Sequence, residues 1–109
     1  MGSEMCIRDR SNTTGYRNTA SGNYALKSNT TGVGNSAFGF KALCSNTTGN
    51  SNTGVGFLAL RCNTTGCRNT ASGYYSLLAN TTGCFNTASG YRSLYSNTTA
   101  SYNLSLIHI

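Results

Sequence analysis

Residues 11–103 predict an all-β chain, a β-solenoid (β-roll) of stacked 17-residue coils. Three observations predict it. The phrase Asn-Thr-Thr-Gly begins at Asn12, Asn29, Asn46, Asn63 and Asn80, always 17 residues apart, and a sixth copy at Asn97 lacks the glycine. A leucine recurs at one place in every full unit: Leu26, Leu43, Leu60, Leu77 and Leu94. Proline is absent from the chain, which suits continuous strand pairing in which each backbone N–H is a donor. Self-similarity at a short fixed period decides architecture before local propensity does.

The full units are 11–27, 28–44, 45–61, 62–78 and 79–95, with a partial sixth at 96–103. Their consensus is Ser-Asn-Thr-Thr-Gly-x-x-Asn-Thr-Ala-x-Gly-x-x-Ala-Leu-x, and positions 2, 3, 4, 5, 8, 12 and 16 are identical in all five. Two fixed glycines and a Thr-Thr pair argue against a helical repeat. A unit of 17 residues is also too short for two packed helices with their turns. Disorder is the stronger competitor, because Asn, Ser, Thr and Gly dominate. The leucines in register, with Ala or Ser beside them, stand against it.

In a solenoid each coil lies on the next at about 4.8 Å, so identical residues stack into ladders. The leucines fill a thin core, and Ala20, Ala37, Gly54, Ala71 and Ala88 fit where its walls approach. Asn18, Asn35, Asn52, Asn69 and Asn86 form a hydrogen-bonded ladder along the rod. Gly22, Gly39, Gly56, Gly73 and Gly90 form a second fixed column. These glycines and those closing each Asn-Thr-Thr-Gly phrase are expected to supply positive φ at tight corners. Terminal coils need caps, because each coil pairs only with its neighbours.

The aromatic residues do not keep to one face. Phe40, Phe57, Tyr74 and Tyr91 follow the second glycine, and Phe38 and Val55 precede it. Either the glycine column bends the chain and turns the first set inward, or one outer face is sticky. A sticky face favours association of several chains.

Both termini read as translated sequencing-library adapter rather than native protein. DNA that encodes Met5-Cys6-Ile7-Arg8-Asp9 has a reverse complement that, read one base later, encodes Ser105-Leu106-Ile107-His108-Ile109. Two unrelated caps have no reason to be reverse complements. Residues 1–10 and 104–109 are therefore set aside from fold reasoning, and 11–103 is expected to be the middle of a longer gene.

That interior has no Asp, Glu or His. Neither a Ser-His-Asp or Cys-His arrangement nor a carboxylate pair can be built from it, so the chain is expected not to be an enzyme. The spacings of Cys44, Cys62, Cys67 and Cys84 do not match a zinc ribbon, and neither a metal nor a cofactor is expected. Cys67 and Cys84 hold the same place in adjacent coils, where a disulfide and a free-thiol ladder are both open. Each Asn-Thr-Thr matches the N-glycosylation acceptor pattern, but turn and ladder roles explain the same residues. No stretch approaches the roughly 20 apolar residues of a membrane span, so no membrane insertion is expected.

The interior keeps Arg17, Lys27, Lys41, Arg61, Arg68 and Arg92, which favours anionic partners such as acidic glycans. These cations occupy three separate places in the repeat and are not interleaved with aromatics as a binding motif requires. The plainer expectation is that they keep a polar rod soluble, and no nucleic-acid partner is expected. The adjacent threonines of each phrase should point to opposite faces of a strand, which disfavours a flat ice-binding hydroxyl array.

The run Asn-Thr-Thr-Gly-x-x-Asn-Thr-Ala-x-Gly-Tyr-x-Ala/Ser-Leu resembles repeats of phage tail-fibre proteins. More distantly it is similar to the head repeats of trimeric autotransporter adhesins, through Thr70-Ala71-Ser72-Gly73 and Thr87-Ala88-Ser89-Gly90. The resemblance spans residues 11–103. It implies a homotrimeric β-solenoid shaft or head on a virion, or at the cell surface or outside the cell. It implies attachment to a surface, with a cell-surface glycan as the partner. No receptor-binding residue is carried over. The alternatives are a bacterial surface adhesin head and, with less support, an ice-binding solenoid.

Overall fold

The computed structural model describes residues 13–106. Segment 1–10, expected above to be adapter-derived, lies outside the described residues, as do residues 107–109 of the trailing segment expected to share that origin. The described part is all-β and contains no helix. Its strands are β1 (Thr19–Ser21), β2 (Ser36–Phe38), β3 (Thr53–Val55), β4 (Thr70–Ser72), β5 (Thr87–Ser89) and β6 (Leu104–Ser105). They form one six-stranded sheet in chain order.

Every neighbouring pair is parallel, and the register never slips. Thr19 faces Ser36, which faces Thr53, then Thr70, then Thr87. Each step equals one sequence repeat, so the fold is a parallel β-solenoid of about five turns. The resulting rod measures 39 × 22 × 15 Å.

Only three residues of each full coil are strand. The remainder turns, yet its backbone still bonds from coil to coil. The N–H groups of Thr30, Thr31 and Gly32 all donate to the Thr47 carbonyl, at 3.0, 3.2 and 3.1 Å. Thr47, Thr48 and Gly49 do the same to Thr64. Three successive N–H groups on one side are turn geometry, not strand geometry. The strand premise used above for the adjacent threonines therefore does not hold.

The second half of a coil is a run of tight turns. Ala25 N donates to Gly22 O at 3.2 Å, Lys27 N to Tyr24 O at 3.2 Å and Asn29 N to Leu26 O at 3.3 Å. These turns need left-handed backbone. Gly22 and Gly39 have φ of 129° and 130°, and a Cβ on Gly22 would lie 2.6 Å from the Gly39 carbonyl oxygen. The leucines are left-handed too, with φ of 53° at Leu43 and 54° at Leu60. That conformation costs an L-residue about 1–2 kcal/mol. Full burial of a leucine side chain contributes about 1.5–3 kcal/mol. Leu26, Leu43, Leu60 and Leu77 are completely buried, so burial offsets the strain.

The core joins this leucine column to Ala20, Ala37, Ala71 and Ala88 from the strands. Ala25, Ala42 and Ala59, beside the leucines, are buried as well. Leu94, in the last full coil, is only partly covered.

The expectation for the first glycine of each unit needs correction. Gly32, Gly49, Gly66 and Gly83 do not have positive φ. They are glycine because of space: a Cβ on Gly32 would lie 2.5 Å from Asn29 Oδ1.

Candidate functional site

The solenoid builds two kinds of ladder, one sealed inside and one presented to solvent. The inner ladder is polar. Asn18, Asn35, Asn52, Asn69 and Asn86 are fully buried or within 1% of it. Asn52 uses its whole hydrogen-bonding capacity. Its Nδ2 donates to Asn35 Oδ1 at 3.2 Å and to Gly66 O at 2.8 Å. Its Oδ1 accepts from the Asn69 backbone N–H at 3.0 Å and from Asn69 Nδ2 at 3.1 Å.

A second asparagine column runs parallel to it and was not singled out from the sequence. Asn46 Nδ2 donates to Asn29 Oδ1 at 2.9 Å, Asn63 to Asn46 at 2.8 Å and Asn80 to Asn63 at 2.8 Å. The glycine carbonyls tie the two columns together. Gly49 O accepts from Asn35 Nδ2 at 2.8 Å and from Asn46 Nδ2 at 3.1 Å. The signal was present in the sequence, since this asparagine is identical in every unit. These are also the asparagines of the glycosylation pattern. Asn29, Asn46, Asn63 and Asn80 have at most 1% of their surface exposed, so in the folded rod none is open to a glycosylating enzyme.

The outer ladder is aromatic. Phe40 and Phe57 lie 5.3 Å apart between ring centroids, Phe57 and Tyr74 5.0 Å, and Tyr74 and Tyr91 5.4 Å. The glycine column does not turn these rings into the core: Phe40, Tyr74 and Tyr91 are exposed and Phe57 half-buried. Cations lie against the same edge. Lys27 Nζ sits 5.2 Å from the Tyr24 centroid, Lys41 Nζ 5.3 Å from Phe40, and the Arg92 guanidinium carbon 4.3 Å from Tyr95. The expectation that cations and aromatics are not interleaved is therefore wrong. Residues spaced along the chain are folded to one corner by the tight turns. A turn bond three residues apart, such as Tyr95 N to Arg92 O at 3.2 Å, is what sequence spacing alone did not reveal.

Two hydroxyl and thiol features complete the surface. The Tyr74 phenol is pushed above its ordinary value by a hydrogen bond with Tyr75. All four described cysteines are free thiols. The Cys67 N–H donates to Cys84 Sγ at 3.1 Å, and a hydrogen bond between the two side chains pushes the Cys67 thiol up. On the strand face Thr19, Ser36, Thr53, Thr70 and Thr87 form one outward column, and Phe38 and Val55 stand 41% exposed in the neighbouring column.

Among the described residues no cluster of three or more metal-ligating side chains occurs, and no helix is long and apolar enough to cross a membrane. No protein-family model matches the chain, and neither a curated protein nor a solved structure matches it. The class that the fold defines is a parallel β-solenoid repeat protein, compatible with a structural role.

Proposed function

We propose that the chain is a non-catalytic structural and adhesive segment of a phage tail fibre or a similar surface-attachment fibre, acting from a virion or at a cell surface. The observation that carries this reading is the unbroken register. Each coil offers the next the same backbone and asparagine donors, so the rod lengthens by repetition and gains reach without a new fold. The resemblance to tail-fibre repeats supports it, as does an interior that lacks Asp, Glu and His as proton-transfer groups.

The native assembly in this reading is a homotrimer. Phe38 and Val55 are the apolar contact it would cover, because pairing along the cationic edge would bring like charges together. Sequencing the source DNA outward past both termini tests the reading. A flanking tail-attachment region or fibre chaperone supports the phage assignment. A signal peptide with a membrane-anchor barrel would move it to a bacterial adhesin head. Fusing 11–103 to a trimerisation domain should raise its melting temperature well above that of the unfused chain, and equal melting would refute the trimer.

A further inference from the structure

We infer that the aromatic–cationic edge of the rod binds a linear anionic polysaccharide lying along the solenoid axis. This rests on the attachment reading above and names the chemistry of what is attached.

The edge is assembled by turns rather than by sequence order. Lys27 N bonds Tyr24 O at 3.2 Å, Cys44 N bonds Lys41 O at 3.2 Å, Arg61 N bonds Leu58 O at 3.3 Å and Tyr95 N bonds Arg92 O at 3.2 Å, so these four coils close the same corner. The corner receives a cation from four of the five full coils: Lys27, Lys41, Arg61 and Arg92. Successive coils lie about 4.8 Å apart, so the positive charges form a line and not a cluster. Residues 13–106 hold no Asp or Glu. A polymer with carboxylate or sulfate groups at similar intervals is its complement.

The rings decide between polymers. Phe40, Phe57, Tyr74 and Tyr91 stack on one another along the axis, with interplanar angles of 32°, 52° and 27°. Along the axis Phe57 and Tyr74 each have a ring on both sides, at 5.0 to 5.4 Å between centroids. Single-stranded nucleic acid binds by stacking bases on ring faces, and rings this close leave no gap for a base between Phe57 and either of its neighbours along the axis. The opposite edge differs. There Arg17 lies over Tyr16 and Arg68 over Phe85, without a continuous line of rings between them.

The test uses the full chain with dextran sulfate as probe, and with unsulfated dextran and polyuridylate as controls. The variants are K27Q/K41Q/R92Q on the proposed edge, R17Q/R68Q on the opposite edge, and the charge-preserving K27R/K41R. Dextran sulfate should bind and dextran should not. The triple variant should lose about tenfold or more in affinity and show a shallower salt dependence, as expected when fewer cations release counterions. R17Q/R68Q and K27R/K41R should stay within about twofold of the parent, which ties the loss to position on the rod rather than to net charge. Equal losses in the triple and R17Q/R68Q variants would overturn the assignment. So would tighter binding of polyuridylate than of dextran sulfate, or no binding of dextran sulfate.

Attachment to intact bacterial cells, measured on the same variants, separates the two readings. Attachment that falls with the triple variant supports both. Attachment that survives it overturns the edge assignment and leaves the adhesive reading standing. Binding of dextran sulfate without any cell attachment supports the edge and removes the adhesive reading.

Discussion

The inner asparagine columns and the outer aromatic column are stacked on the same repeat, but only the inner ones are identical in every full unit. The outer column tolerates Phe and Tyr, and its first coil carries Asn23 instead. Stacking alone does not demand identity. Burial together with directional hydrogen bonding does. An aromatic ring finds some favourable tilt against its neighbour, whereas a buried amide whose partner is missing is left unpaired. Each such orphan costs about 1–3 kcal/mol.

The largest test of that contrast is to put a charge inside. Leu60→Asp places a lone carboxylate in the dry centre of the third coil, and an uncompensated buried charge costs about 3–5 kcal/mol. Loss of the β circular-dichroism signal at room temperature is the expected result. Unchanged melting would show that the leucine column is not the core.

Asn52→Ala should come next. It orphans the Asn69 backbone N–H and one Asn69 Nδ2 hydrogen at once, and leaves the Gly66 carbonyl with Asn63 Nδ2 alone, a loss of about 3 kcal/mol in denaturant unfolding. Gly49→Ala should be comparable, because the new Cβ would lie 2.5 Å from Asn46 Oδ1. Tyr74→Ala on the outer column should cost only about 1 kcal/mol, the scale of aromatic pair interactions. If Tyr74→Ala destabilised the rod as much as Asn52→Ala, the distinction between inner and outer ladders would fail.

The smallest effects are titrations at the surface. Tyr75→Phe removes the hydrogen bond that holds the Tyr74 phenol up, so its ultraviolet titration midpoint should fall toward the ordinary value. Cys84→Ala removes the hydrogen bond that raises the Cys67 thiol. At fixed pH more Cys67 is then thiolate, and its alkylation should speed up by about twofold. An unchanged rate would mean that the two thiols do not communicate across the coils.

Much of the fold was legible from the repeat alone. A fixed period with an invariant leucine is a statement about stacking in one dimension, and the parallel register follows from it coil by coil. The small residues Ala20, Ala37, Ala71 and Ala88 were readable for the same reason, as was the hydrogen-bonded column through Asn52. What repetition could not show was the path of the chain within one coil. Identity at Gly49 and at Gly39 looks the same in sequence, yet the first answers to space alone, against the next coil's carbonyl and Asn46, and the second to positive φ as well as space. For the asparagines of the Asn-Thr-Thr phrase the sequence offered turn and ladder roles ahead of glycosylation, but only the structure showed that Asn29, Asn46, Asn63 and Asn80 form a second buried column. The aromatic–cationic edge lay in residues that are scattered along the chain and adjacent only after the tight turns close.

By itself, then, the sequence determined the period, the coil count and which residues stack on their own kind, because those depend only on spacing. Tertiary structure alone decided which columns face inward, which glycine is needed for which reason, and where the cations meet the rings. Those depend on the backbone angles inside each coil, and residues such as Leu43 and Lys41 adopt left-handed conformations that no local propensity announces.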